Sequence, residues 1–187
     1  MRLHYRAKFN GDTSSLPHGE HKPGATKFRE PEDPKKLGLI ANGLALAMYF
    51  ITITVLVMWG GSDAFSFWGC AISLLLAFPH ELLHAVCFKG DVYLYTNRKD
   101  GMLFVVGPED MSKARYIFMS MLPNLIFGFI PFAVFLIHPQ WKLLGCIGAF
   151  SIPMGAGDYF NVFNALRQMP RGARTYLYGF NSWWYMP

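Results

Sequence analysis

Charged side chains are scarce in this sequence. Asp, Glu, Lys and Arg together make up 16% of its 187 residues, where soluble globular domains carry about 25%. The scarcity is uneven: the first 36 residues hold eight Lys/Arg and five Asp/Glu, while long stretches further on hold none. This excludes an ordinary soluble domain and fits a bilayer protein, because an unpaired charge at the membrane centre costs at least about 2.5–3.5 kcal/mol. A basic stripe interleaved with aromatics is also missing, so the net charge of +5 does not point to nucleic acid. The positive residues flank apolar runs instead, which suits the lipid bilayer as partner. Cysteine is sparse too. Cys70, Cys87 and Cys146 all lie in apolar stretches, an odd number in places that argue against a disulfide framework, and they read as small buried hydrophobes. No cleavable signal peptide is expected, since the N-terminus is polar and the first apolar run is too long for an h-region.

What is abundant is apolar sequence, 52% of the chain. Residues 1–36 are polar and rich in Pro and Gly, and are expected to form a cytoplasmic tail that is disordered or lies on the membrane surface. Four apolar runs follow: Leu37 to Trp59, Phe65 to Phe88, Tyr116 to Ile137 and Leu143 to Leu166. Each has 22 to 24 residues, and a helix needs about 20 to cross the hydrocarbon. With no water to satisfy a bare backbone, helices are the expected form. Pro123, Pro131 and Pro153 are expected to kink their helices rather than end them. Between spans two and three, Val92 to Thr96 and Met102 to Val106 alternate in polarity around Asn97-Arg98-Lys99-Asp100-Gly101, which predicts a β-hairpin with a five-residue loop. The fold class expected is thus an all-α membrane protein, a bundle of four transmembrane helices with a short β-hairpin. Its membrane-embedded core spans residues 37–168, and a cytoplasmic C-terminal tail spans 169–187. The Trp183-Trp184-Tyr185 cluster in that tail reads as an interfacial aromatic anchor.

Inside the second span stands His80-Glu81-Leu82-Leu83-His84. Residues four apart on a helix share a face, so both imidazoles can reach one ion while Glu81 projects close by. The alternative is that both histidines bond neighbouring helices and Glu81 pairs with a basic residue. Three ionisable groups within five lipid-embedded positions favour a shared partner. A zinc site with an open position needs three protein ligands. The remaining acid within a span is Asp158, in Gly155-Ala156-Gly157-Asp158-Tyr159. With spans two and four running the same way, His80 and His84 lie about 15 and 19 residues in from Phe65, and Asp158 about 15 in from Leu143. At 1.5 Å per residue these depths match. Asp158 could alternatively serve only as a helix–helix hydrogen-bonding residue. Gly155 and Gly157 are expected to let helices approach closely.

An embedded HExxH, followed two spans later by a glycine-preceded aspartate, resembles the site-2-protease type of intramembrane metalloprotease. More narrowly, the chain resembles the small zincin peptidases of the DUF3267 family over roughly Leu37 to Pro187. The sequence Ala156-Gly157-Asp158-Tyr159 departs from the Asn-Pro-Asp-Gly pattern usual in site-2 proteases. The resemblance implies His80, His84 and Asp158 as ligands of Zn2+ and Glu81 as the catalytic acid/base. It also implies a membrane-protein or peptide substrate, hydrolysed by zinc-bound water with Glu81 as general base. Asn124, Asn161 and Asn164 are candidates for oxyanion contact or for supporting the ligands, with interhelical hydrogen bonding as the alternative. Cys87, three residues after His84, is a further but weaker ligand candidate. Two other readings stay open: a non-hydrolytic metal-binding membrane protein, such as a transporter or sensor, and a vestigial metalloprotease fold acting as an interaction module.

Loop charge sets the expected orientation. Lys and Arg number eight before span one, none in Gly60–Ala64, five in Lys89–Arg115, one in His138–Lys142 and three from Arg167 onward. These counts predict a multi-pass protein of the cell membrane with both termini cytoplasmic. Reporter fusions near Ser62 and Gln140 should therefore read as external, and those near Asp100 and Arg171 as cytoplasmic. An external Asp100 would overturn this topology.

Overall fold

The computed structural model describes residues 1–6, 9, 12, 15–31, 33–97, 102–178 and 181–187. In chain order the elements are β1 (Arg2–Arg6), β2 (Thr26–Lys27), α1 (Pro34–Gly60), α2 (Phe67–Leu75), α3 (Ala77–Val86), β3 (Asp91–Asn97), β4 (Met102–Val106), β5 (Met111–Ser112), α4 (Lys113–Asn124), a π-helical stretch (Leu125–Phe129), α5 (Ile130–Ile137), α6 (Lys142–Met154), α7 (Ala156–Gln168), β6 (Arg174–Tyr178) and β7 (Asn181–Tyr185). The fold is mostly helical, but the all-α expectation is corrected: the described residues include seven strands in two sheets.

Among the described residues, three helical stretches are long and apolar enough to cross a membrane: Lys35–Gly60, Ser62–Val86 and Lys113–Ile137. They overlap the first three expected spans. Where the fourth was expected, Leu143 to Leu166, the chain forms two helices that meet at Gly155. The physical reason lies in Pro153, which cannot donate to the helix ladder, and in Gly155, whose backbone (φ −82°, ψ 14°) ends α6. Pro123 stays inside α4. Pro131 follows directly after the π-helical stretch, and the helical run continues through it to Ile137.

The chain divides into two compact units. One comprises Asp33–His80 and Met121–Phe160. Its first helix starts where Asp33 accepts a hydrogen bond from the Lys35 N–H at 2.9 Å, with Pro34 in the first turn, and ends at Gly61 with φ +83°. Both are standard helix-boundary devices. Helix α6 is the centre of this unit. Thr52 of α1 donates to the Ala149 carbonyl at 2.8 Å, and Ser73 of α2 donates to the Ile147 carbonyl at 3.1 Å. A Cβ on Gly148 would lie 2.6 Å from the Phe132 backbone nitrogen, so only glycine permits the approach of α5. Leu56, Ala64, Phe135, Cys146 and Ala149 form the buried cluster between these helices.

The other unit comprises Met1–Glu32, Glu81–Ser120 and Asn161–Pro187. One of its sheets has the order β1–β3–β4 and the other β2–β7–β6–β5. The alternating segments at 92–96 and 102–106 pair antiparallel, with Tyr93 opposite Val106 and Asn97 opposite Met102. Residues 98–101 of the expected hairpin loop lie outside the described residues. The described N-terminal residues are folded, which corrects the expectation of disorder. Strand β1 runs parallel to β3, with Arg2 opposite Asp91, and Leu16 and Phe28 are buried. This segment cannot bury a core alone, but it borrows one from the rest of its unit: Phe28 packs with Ala165, Met169 and Ala173. The C-terminal aromatics stand in β7, where Trp184 packs against that same cluster and Trp183 meets His21 edge-on at 4.6 Å.

Polar closure pins the short strands. The Asp110 carboxylate accepts from Arg174 Nε at 2.9 Å and from the Tyr185 hydroxyl, tying the start of β5 to β6 and β7. The Arg174 hydrogen bond holds Asp110 below the usual carboxylate range. A depressed carboxylate pKa contributes stability above the unfolded value, and that contribution disappears as the pH falls through the folded one. Asp110→Asn should therefore lower the thermal midpoint in detergent at pH 7 by a few degrees, corresponding to about 1 kcal/mol. The difference from wild type should narrow as the pH falls below the ordinary aspartate range. A gap that stays constant across that range would show that the Asp110 charge plays no part.

Candidate metal centre

Helix α3 brings three donors together without help from the rest of the fold. Its ladder runs through the motif, with the His80 N–H donating to the Leu76 carbonyl at 2.9 Å. The side-chain donor atoms of His80, Glu81 and His84 lie within 4.8 Å of one another. His84 is buried, and its Nδ1 donates to the Met119 carbonyl at 2.9 Å. A carbonyl only accepts, so the imidazole proton sits on Nδ1 and the lone pair is left on Nε2. Metal-ligating histidines are commonly oriented in this way.

Asp158 sits in the first turn of α7, where the partial positive charge of a helix N-terminus favours an anion. Its Oδ2 lies 3.1 Å from His80 Nε2, and the two side chains are 16% and 13% exposed. Asn124, at the end of α4 and 1% exposed, donates from Nδ2 to the same Oδ2 at 2.7 Å. The Tyr159 hydroxyl lies 2.9 Å from the Ile152 carbonyl and 3.3 Å from Asn124 Oδ1, and both of these oxygens can accept. Gly155 makes room for this network: a Cβ there would fall 1.7 Å from Asn124 Oδ1. Gly157 differs from the sequence expectation, because it is exposed and a Cβ would meet nothing within 4 Å.

The donor chemistry suits zinc. Ligands of one tetrahedral ion at about 2.0–2.2 Å stand about 3.3–3.5 Å apart. The His80–Asp158 separation is close to that, and it would need to widen only slightly. The His80 imidazole beside the Asp158 carboxylate offers donors of the borderline-hard kind that zinc takes.

The remaining candidates are distributed differently. Asn161 is half-buried on α7. Asn164 is buried; its Oδ1 accepts from Gln168 at 3.0 Å, and its Nδ2 has no partner among the described residues. The Cys87 thiol donates back to the Leu83 carbonyl at 3.5 Å and is not one of the donors clustered on α3. Sequence reasoning missed Tyr159 and the Met119 carbonyl. The only available signal for Tyr159 was its place beside Asp158, and a carbonyl has none.

Comparison with known proteins gives one positive finding. The family model DUF3267, described as "Putative zincin peptidase", matches residues 73–174, a stretch covering more than half of the chain and containing His80, Glu81, His84 and Asp158. No curated protein and no solved structure matches the chain.

Proposed function

The chain belongs to the DUF3267 family, and from that premise we propose that it is a membrane-embedded zinc peptidase acting on a membrane protein or peptide. The observation that carries this reading is the donor cluster on α3, where His80, Glu81 and His84 converge within 4.8 Å on a helical stretch apolar enough to cross a membrane. His80, His84 and Asp158 would hold the ion. Zinc, when bound, lowers the pKa of a coordinated water to about 7 and polarises a carbonyl oxygen.

The chain's own residues supply the rest. The Glu81 carboxylate accepts a proton and later returns it to the leaving amine, a role worth about 10²- to 10⁴-fold in rate. The Met119 carbonyl keeps the proton of His84 on Nδ1 and so keeps Nε2 available. An extended peptide would find an edge at β4, since β3 is already flanked on both sides by β1 and β4; strand addition of this kind fixes a substrate through main-chain hydrogen bonds. The apolar helices favour a membrane setting for this chemistry, and loop charge favours cytoplasmic termini.

Metal content and cleavage, measured on one purified sample, test this proposal. Wild type should carry about one zinc, and His80→Ala or His84→Ala should remove most of it. Full zinc occupancy in Asp158→Ala would exclude that residue as a ligand. Glu81→Gln keeps size and hydrogen bonding but not basicity, so zinc should stay while cleavage of a single-span substrate falls by about 10²-fold or more. Wild-type cleavage by Glu81→Gln would rule out the acid/base role, and zinc bound without any cleavage would favour a metal-binding protein that does not hydrolyse.

A further inference from the structure

Asn124 stands out in the unit that contains Asp158, because a fully buried primary amide carries a large desolvation cost unless it is hydrogen-bonded. The backbone around it is built for that placement. Pro123 precedes it inside α4, and the π-helical stretch Leu125–Phe129 begins at the next residue. A π-helical turn inserts a residue and rotates the downstream helix, and such turns often occur at functional sites. Across from Asn124 the chain opens at Gly155. The Gly155 backbone conformation (φ −82°, ψ 14°) is one that alanine adopts without strain. Glycine is therefore required by space, since Asn124 Oδ1 occupies the place a Cβ would take.

The amide is used at both ends. Its Nδ2 donates to Asp158 Oδ2 at 2.7 Å, and its Oδ1 lies 3.3 Å from the Tyr159 hydroxyl, which itself reaches the Ile152 carbonyl at 2.9 Å. The primary amide has its donor and acceptor ends fixed by this pairing, because a carboxylate can only accept. The Asp158 carboxylate is thereby held against rotation, with one oxygen engaged by Asn124.

We infer that Asn124 is a positioning residue for the metal centre: through the gap left by Gly155 it orients the Asp158 carboxylate and so sets zinc affinity. The inference rests on the zinc-site reading above. Groups that orient a ligating side chain typically contribute 10- to 100-fold in metal affinity. A packing role alone would affect thermal stability and leave affinity unchanged.

Zinc affinity measured by chelator competition on the full-length protein in detergent provides the test. The d–d absorption spectrum of the Co2+-substituted protein gives a second readout. Asn124→Ala and Gly155→Ala should each weaken zinc binding by about 10- to 100-fold and shift the Co2+ spectrum. The double variant should lose no more than either single one, because the alanine methyl at 155 then fills space that the amide has left. Tyr159→Phe should give a smaller loss in the same direction. Wild-type affinity in Asn124→Ala, or losses that multiply in the double variant, would overturn the inference while leaving the zinc site standing. If Asn124→Ala fails to fold, wild-type affinity in both Gly155→Ala and Tyr159→Phe would overturn it. A wild type that binds no zinc would overturn the zinc reading and this inference with it.

Discussion

A carboxylate placed among apolar helices must be given donors, and the unit formed by Asp33–His80 and Met121–Phe160 is arranged around that requirement. Leaving an ion unpaired in such surroundings costs several kcal/mol or more. Asp158 meets the requirement with the first turn of α7, the Asn124 amide and the His80 ring. The first of these donors exists because α6 and α7 are separate helices. The break at Gly155 creates a new helix N-terminus just before Asp158, and it clears the space into which Asn124 reaches. One local feature, a glycine with a proline two residues before it, thus supplies both the electrostatic and the steric conditions for a half-buried acid.

The same break explains which parts of the site could be read from sequence. His80, Glu81 and His84 were legible because helix geometry converts a spacing of four into proximity, whatever the rest of the chain does. Asp158 was legible by depth, since helices rise at a constant rate. That count assumed an unbroken helix from Leu143, yet the interruption falls only three residues before Asp158, too late to disturb it much. Gly155 and Gly157 could not be told apart in this way. They are near neighbours of the same type, and only one of them faces a partner. The Met119 carbonyl was out of reach for a different reason: every residue carries a carbonyl, and only folding selects which one meets His84.

The sheets show where hydropathy reading fails. Strand β1 pairs with a partner 89 positions away, Arg2 with Asp91, and β2 and β5 have two residues each. No periodicity can be read from two residues, and a segment with Arg2, His4 and Arg6 on alternate positions scores as polar. What stabilises these strands is long-range polar closure. The Glu109 carboxylate takes the N–H groups of Lys89 and Gly90 at 2.6 and 2.7 Å and pairs with Arg115 at 2.6 Å, while Glu30 receives the Ser182 N–H at 2.8 Å. The clumped charge that marked the polar regions is thus partly structural, holding loops and strand ends rather than only facing solvent or lipid headgroups.

Two acids accompany two histidines, and the physical demands on a ligand and on a base differ enough to divide the roles. A ligand must hold one orientation, because any rotation it makes lengthens a bond to the ion. A proton carrier must accept at one place and deliver at another, which requires some freedom. Asp158 has the shorter side chain, and its carboxylate is gripped by an amide that is itself anchored near Tyr159. Glu81 has one more rotatable bond, and both acids are half-buried. Under the proposed zinc reading, the shorter acid held by Asn124 suits coordination and the longer one suits transfer, the division that the HExxH pattern by itself leaves open to exchange. The assignment also gives the Asn124 contact its sense: orienting an acid that must swing would hinder it, whereas orienting one that must stay put strengthens its hold.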